Sequence, residues 1–195
     1  MKEYKLPIGC DVPETIILAD GDFPSHPLAL EWLRQCPYVV CCDGAANTYI
    51  RSGRMPEAIV GDGDSLLPDI KERYASLIHS EAEQETNDLS KAFRFCLSQE
   101  RKRITIMGAT GKREDHTIGN VSLLADYMEQ AEVSMMTDYG IFVPIREDSM
   151  FESYIGQQIS VFNMNSTALS AEGLAYPLSV FTNCCLLYTS DAADD

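Results

Sequence analysis

The feature that most constrains this chain is an alternation of two textures. Short apolar runs at residues 15–19, 38–42, 58–60, 104–107 and 133–136 are separated by amphipathic stretches at 24–34, 45–51, 68–74, 87–99 and 115–128. The runs carry apolar residues on both parities and no charged residue, as expected of strands buried on both faces. The intervening stretches carry apolar residues at helical spacing, for example Leu89, Ala92, Phe93, Cys96 and Leu97. Strands alternating with helices predict an α/β fold: a Rossmann-like, mostly parallel sheet with helices on both faces. Residues 77–79 add a further short strand.

Beyond about residue 139 the pattern changes. Segments 141–146, 149–154, 158–163 and 168–173 read as short strands joined by turns, without helices between them. They predict a smaller, partial all-β sandwich-like domain. We therefore expect an α/β domain over 1–138, a partial β domain over 139–183 and an atypical tail over 184–195. The tail continues no earlier period and ends in Asp191-Ala192-Ala193-Asp194-Asp195. The expectation is a natural chain interrupted near Asn183, followed by foreign or frame-shifted residues that are solvated at the end.

Composition narrows the function. Asp plus Glu number 30 against 15 Lys plus Arg, a net charge of −15. Nucleic-acid binding needs an excess of cations to displace counterions from phosphate, so that class is excluded. Nucleotide binding through a carboxylate-held metal ion is not. No stretch approaches the roughly 20 apolar residues of a spanning helix. Met1 to Lys5 lead into no apolar segment, so no secretory leader is expected. The 7 cysteines include two adjacent pairs and no C-x-x-C, which suits reduced thiols in a cytoplasmic protein.

Chemistry concentrates just after the strands. In parallel α/β sheets that edge is where ligands bind. It carries Asp20-Gly21-Asp22, Asp43-Gly44-Ala45-Ala46-Asn47, Gly61-Asp62-Gly63-Asp64-Ser65 and Gly108-Ala109-Thr110-Gly111-Lys112-Arg113-Glu114-Asp115-His116. If the third of these leaves its strand extended, Asp62 and Asp64 point the same way. Two adjacent carboxylates repel unless a cation lies between them, and Mg²⁺ bridging to substrate phosphates meets that need. Asp88 or Asn87 reads either as a helix N-cap or, for Asp88, as a third carboxylate near the same metal, with Gln84 offering an amide to a substrate. The glycines at 108 and 111 expose backbone N–H groups to anions. Lys112 and Arg113 are candidate phosphate partners, Arg113 by bidentate contact. The spacing is not that of a Walker loop. His116 reads as structural or solvated.

Together these four motifs, including Gln84-Glu85-Thr86-Asn87-Asp88, resemble those of the thiamine pyrophosphokinase family: D-G-G-A-N, G-D-x-D-S, Q-x-x-T-D and G-x-x-G-x-R-x-D-H. Residues 171–178, Ala-Glu-Gly-Leu-Ala-Tyr-Pro-Leu, resemble the family's later G-L-x-Y-P-L segment. The resemblance implies a transferase in which the thiamine hydroxyl attacks the β-phosphorus of ATP, yielding thiamine diphosphate and AMP. It implies that Asp62, Asp64 and Asp88 hold Mg²⁺ and orient the reacting groups, one of them accepting the hydroxyl proton. It assigns Gln84 to the substrate side and Asp43, Gly44, Asn47, Gly108, Thr110, Gly111, Arg113 and Asp115 to ATP. It also implies a homodimer with thiamine held against the β domain. Ala45, Gly63 and Asn87 depart from the motifs, and the late strands of the family are not recognisable here, so ATP and Mg²⁺ recognition is expected to survive better than thiamine binding. Two other readings fit the acidic loops: a Mg²⁺-dependent phosphohydrolase and a non-catalytic nucleotide-binding module.

Overall fold

The computed structural model describes all residues except 8, 10, 82–84, 165–168, 177, 179–186 and 194–195, and the side chain of 187. In chain order the elements are β1 (Lys2–Tyr4), β2 (Thr15–Leu18), α1 (Pro27–Gln35), β3 (Val39–Cys42), α2 (Ala45–Arg51), β4 (Ala58–Gly61), α3 (Pro68–Arg73), a 3₁₀ turn (Ala75–Leu77), β5 (Ile78–Ser80), α4 (Asp88–Ser98), β6 (Arg103–Met107), α5 (Glu114–Tyr127), β7 (Glu132–Met136), β8 (Ile141–Phe142), β9 (Ser149–Phe151), β10 (Gln158–Phe162) and β11 (Leu187–Asp191). Contacts divide the chain into two compact units, one of residues 8–146 and one of 1–7 with 147–195.

The larger unit is built on a 7-stranded sheet in the order β5-β4-β3-β2-β6-β7-β8. All its pairings are parallel except β7 with β8. Strand parity sorts the core. Ile16, Leu18, Val39, Cys41 and Ile59 face Ala29, Trp32 and Leu33 of α1, Tyr49 of α2 and Ile70 of α3. Their neighbours Ile17, Val40, Cys42 and Val60 face Leu89, Phe93 and Cys96 of α4 and Leu124 and Tyr127 of α5. Strands β2, β3 and β4 therefore bury both faces, which is why their runs are apolar on both parities. The order reverses between β2 and β6, since the chain builds outward from β2 on one side and then returns to β6 on the other.

Two boundaries differ from expectation. Helix α1 starts at Pro27, not at residue 24, because His26 is its N-cap: its Nδ1 accepts from the Leu28 N–H at 3.2 Å, and Pro27 supplies the preset φ of a first helical position. Residues 141–146, expected as a strand of the second domain, contribute only the two residues of β8. These extend the larger sheet, Met136 pairing with Ile141, so the larger unit runs to residue 146.

The smaller unit has two small sheets. One pairs β1 with β9 in parallel, with Tyr4 stacked on Phe151 at 4.6 Å between ring centres. No local pattern in residues 2–4 predicts β1. The other pairs β10 with β11 in antiparallel register, Gln158 opposite Asp191. The expected solvated tail thus supplies a strand as far as Asp191. Leu-Tyr-Thr suits a pleated surface better than its neighbours do. Of the expected strand over 168–173, residue 168 lies outside the described residues and Ala171 makes one isolated bridge, to Leu178. Among the described residues no helix is long and apolar enough to cross a membrane.

Candidate functional site

The acidic half of the site begins where β3 ends. Asp43 has φ of +30° and is 4% exposed. Its Oδ2 accepts from the Ser65 N–H at 2.9 Å, while Oδ1 is buried with no hydrogen-bond partner among the described residues. Asn47, in the first turn of α2, donates through Nδ2 to the Ser65 carbonyl at 2.8 Å and accepts at Oδ1 from the Leu67 N–H at 3.0 Å. The loop after β4 is therefore clamped by two side chains from the loop and helix after β3. Gly61 permits this approach: a Cβ there would lie 2.8 Å from the Asp43 Cβ.

This loop is not extended. Asp62 Oδ1 accepts from the Asp64 N–H at 3.1 Å, Gly63 has φ of +76°, and Lys71 donates to the Gly63 carbonyl at 2.9 Å. The expectation that Asp62 and Asp64 point alike from an extended segment is thus corrected: a left-handed glycine and an aspartate-capped turn separate them.

Asp88 opens α4 and is held at both ends. The preceding residue, Asn87, is the N-cap, accepting at Oδ1 from the Ser90 N–H at 2.9 Å. Asn87 Nδ2 donates to Asn120 Oδ1 at 3.1 Å, and Asn120 donates to the Ala109 carbonyl at 2.8 Å, tying α4 to α5 and to the loop after β6. The Asp88 carbonyl accepts the Cys42 thiol at 3.6 Å, which sets Asp88 beside the end of β3. Its carboxylate pairs with the buried Lys91 ammonium at 3.1 Å. Burial pushes the Asp43 carboxyl above the ordinary range, against the pull of the Ser65 hydrogen bonds, and the charges of Asp88 and Asp62 push it further. Gln84 lies outside the described residues.

The glycine-rich half lies across β2 and β6. Gly21 N–H donates to the Gly108 carbonyl at 2.6 Å, and Asp22 N–H donates to the Thr110 carbonyl at 2.8 Å. Gly108 and Gly111 have φ of +64° and +78°. A Cβ on Gly111 would fall 2.0 Å from Asp22 Oδ2, and one on Gly44 would fall 2.6 Å from Asp20 Oδ2. The two basic side chains already have partners. Lys112 pairs with Asp20 at 3.1 Å, and Arg113 makes a two-pronged contact with Asp115, Nε to Oδ1 at 3.1 Å and Nη2 to Oδ2 at 2.5 Å. That contact, helped by the His116 N–H, lowers the Asp115 carboxyl to about 2. Both side chains are exposed.

Asp43, Gly44, Asn47, Asp62 and Asp88 thus share one part of the sheet edge, and Gly108, Thr110 and Gly111 the part beside it, with Asp20 touching both. Asp64, Arg113 and Asp115 are exposed and face solvent. Sequence reasoning placed Asp20 and Ser65 in the strand-end loops without giving them a role, and it omitted Lys71, Lys91 and Asn120. A signal existed for Lys91, three residues after Asp88 on the same helix face; the others are joined only by the fold. Among the described residues no three Asp, Glu, His or Cys side chains are already gathered into a cation-holding group. The donor chemistry nevertheless suits Mg²⁺: the donors are all oxygen, one is a buried carboxylate oxygen without a partner, and two further acids act on it.

Fold and site together define an open α/β protein that collects carboxylates and tight glycine turns at its carboxyl strand ends, beside the point where strand order reverses. The family model "Thiamin pyrophosphokinase, catalytic domain" matches residues 29–136, and "Thiamin pyrophosphokinase, substrate-binding domain" matches 140–185. The chain belongs to the thiamin pyrophosphokinase family. It is 30% identical over 129 residues to thiamine pyrophosphokinase 1 of Oryza sativa, covering 53% of this chain and 49% of that one. It is 34% identical over 86 residues to the thiamine pyrophosphokinase of Bacillus subtilis, covering 42% and 40%. The chain spans about half the length of the curated relatives it matches. Among solved structures, the Candida albicans thiamin pyrophosphokinase shares its fold at a TM-score of 0.73 and 18% identity, over 99% of this chain and 87% of that one. The Geobacillus thermodenitrificans protein does so at 0.62 and 21%, over 92% and 88%.

Proposed function

We propose that this chain is a thiamine diphosphokinase that transfers a pyrophosphoryl group from ATP to the hydroxyl of thiamine, releasing AMP. The carrying observation is the clamped acidic edge: Asp43 with a buried oxygen unpartnered among the described residues, flanked by Asp88 and by Asp62, the latter on the loop that Asn47 holds. Membership of the family supports it. We read the larger unit, residues 8–146, as a Rossmann-like ATP-binding domain that carries catalysis, and the β-rich residues that follow it to 183 as a partial sandwich-like thiamine-binding domain followed by an atypical tail. The working assembly is a homodimer in the cytoplasm.

In this reading Asp62, Asp64 and Asp88 would hold Mg²⁺ beside the unpartnered Asp43 oxygen, with Asp64 turning in from solvent to do so, and the ion when bound would neutralise charge developing on the transferring phosphoryl oxygens. Lys91 keeps Asp88 in place and partly balances the acids before substrate arrives. One of the three carboxylates takes the thiamine hydroxyl proton as the oxygen attacks. Asp43, Gly44 and Asn47 bind and orient the nucleotide on one side. Gly108, Thr110 and Gly111 present backbone to it on the other, with Arg113 and Asp115 at the rim. Gln84 serves the substrate side. The acceleration comes from orientation and charge, not from a covalent enzyme intermediate.

The test is incubation with thiamine, ATP and Mg²⁺, with chromatography of the products. Thiamine diphosphate and AMP should appear in equal amounts, and Asp62→Asn should lower turnover by about 10² or more. Free phosphate formed without thiamine would replace this reading with a phosphohydrolase. Nucleotide binding without any turnover would replace it with a binding module.

A further inference from the structure

The segment from Asp20 to His26, between β2 and α1, runs across the carboxyl ends of two neighbouring strands. Its first part is bonded to the loop after β6 through Gly21 and Asp22. Its last part is bonded to a single side chain beyond β7. Asp138 Oδ1 accepts from the Ser25 N–H at 2.8 Å and the His26 N–H at 2.9 Å, and Oδ2 accepts from the Ser25 hydroxyl at 2.5 Å. Asp138 sits on a turn with its own support, since Thr137 Oγ1 accepts from the Tyr139 and Gly140 N–H groups at 3.1 and 3.2 Å. Asp20 and Asp22 flank Gly21 at the first of these anchors, three to five residues before the second, and their carboxylates rest against Gly44 and Gly111. Family matching gives Asp138 no role, and the motifs do not include it.

We propose that Asp138 is a positioning residue for nucleotide binding: by holding the Ser25 and His26 amides, it fixes the segment that seats Asp20 and Asp22 against the glycines of the site. This rests on the nucleotide-binding reading above. It acts through the backbone, not by touching the ligand. A loosened segment lets Asp20 leave Gly44 and Lys112 together and lets the loop carrying Gly108 and Gly111 lose its hydrogen-bonded neighbour. Misplacement of groups that orient a substrate costs binding and rate steeply.

Asp138→Ala and Asp138→Asn separate this role from general stability. Asparagine keeps one oxygen for both amides and offers an N–H to the Ser25 hydroxyl, so it should behave nearly as the parent. Alanine keeps none of these bonds. Amide hydrogen exchange at Gly21 and Asp22 should quicken about tenfold in Asp138→Ala and return in Asp138→Asn, with exchange in β3 and α4 unchanged. The KM for ATP should rise about tenfold with kcat nearly constant. Asp138→Ser serves as the truncated variant if Asp138→Ala does not fold. Unchanged exchange at Gly21 and Asp22 would overturn the proposal, as would faster exchange with an unaltered KM for ATP. Failure of the parent chain to bind ATP with Mg²⁺ would instead sink the functional reading, and is seen before any variant is made.

Discussion

The two units use apolar residues in opposite ways. In the larger one, Ile16, Ile17, Leu18, Val40 and Val60 are completely buried, and both sheet faces are covered by helices. In the smaller one, Tyr154, Ile155, Phe162, Met164 and Tyr176 are all roughly half exposed or more, at 62%, 70%, 49%, 60% and 68%. The contrast shows where stability resides. The larger unit has a core able to hold acidic loops in a fixed, partly buried arrangement. The described strands of the smaller unit are held mainly by backbone pairing. The widest expected gap follows directly. Phe93 is 1% exposed and stacked on Tyr127 at 3.9 Å, so Phe93→Ala should cost about 3–5 kcal/mol in urea unfolding. Phe162→Ala, at a half-exposed strand position, should cost less than about 1 kcal/mol. Equal losses would break the comparison.

The same contrast explains what the sequence made legible. Doubly buried strands write continuous apolar runs, and their helices write a 3.6-residue period, so the order of β2 through β7 was readable from residues such as Ile16-Ile17-Leu18 and Leu89-Phe93-Cys96. Strands β10 and β11 alternate weakly because neither face is deeply covered, and β1 pairs with a strand distant in sequence, which no local pattern reveals. In the site, aspartates and glycines at strand ends were visible as a set. Their geometry was not: Gly63 turns the acidic loop away from an extended path, and Lys112 and Arg113 find Asp20 and Asp115. Partners such as Asp20 with Gly44 are 24 positions apart and meet only because β2 and β3 are neighbours.

Glycine sites inside the larger unit give the next effect. Gly53 and Gly111 both have φ near +80°, at +84° and +78°, but a Cβ on Gly53 meets nothing within 4 Å whereas one on Gly111 meets Asp22 at 2.0 Å. Gly53→Ala should therefore cost only the backbone strain, about 1 kcal/mol. Gly111→Ala should cost about 2–3 kcal/mol, because the loops must also separate. Thermal unfolding of the pair isolates the close approach. Matching values would mean that the loops after β2 and β6 part easily.

A smaller effect, of opposite sign, is expected at Asp43. Its carboxyl is raised chiefly by burial. A folded-state value above the unfolded one means that the penalty is absent below the ordinary carboxylate range near 3.9 and grows as pH rises through the raised value. Asp43→Asn should thus stabilise the chain at pH 7, with the gain vanishing near pH 4. It should weaken binding of ATP with Mg²⁺ at the same time, the trade expected where a site holds a strained charge for use. A gain independent of pH would show that the carboxylate charge is not its source.

The smallest effect lies at the exposed rim. Asp115 is lowered to about 2 mainly by the Arg113 side chain. Whatever that pair contributes is present above the ordinary carboxylate value and is lost as pH falls through about 2. Because both partners are solvated, Arg113→Ala should leave the melting temperature at pH 7 unchanged, while carboxyl NMR titration shows Asp115 returning toward about 3.9. The same titration tests the assignment of Arg113 to ATP. A guanidinium drawn onto phosphate releases Asp115, so adding ATP and Mg²⁺ to the parent chain should raise the Asp115 value in the direction that the substitution does. If nucleotide binds and the Asp115 titration does not move, Arg113 stays with its carboxylate, and the phosphate contacts belong to the backbone of Gly108–Gly111 alone.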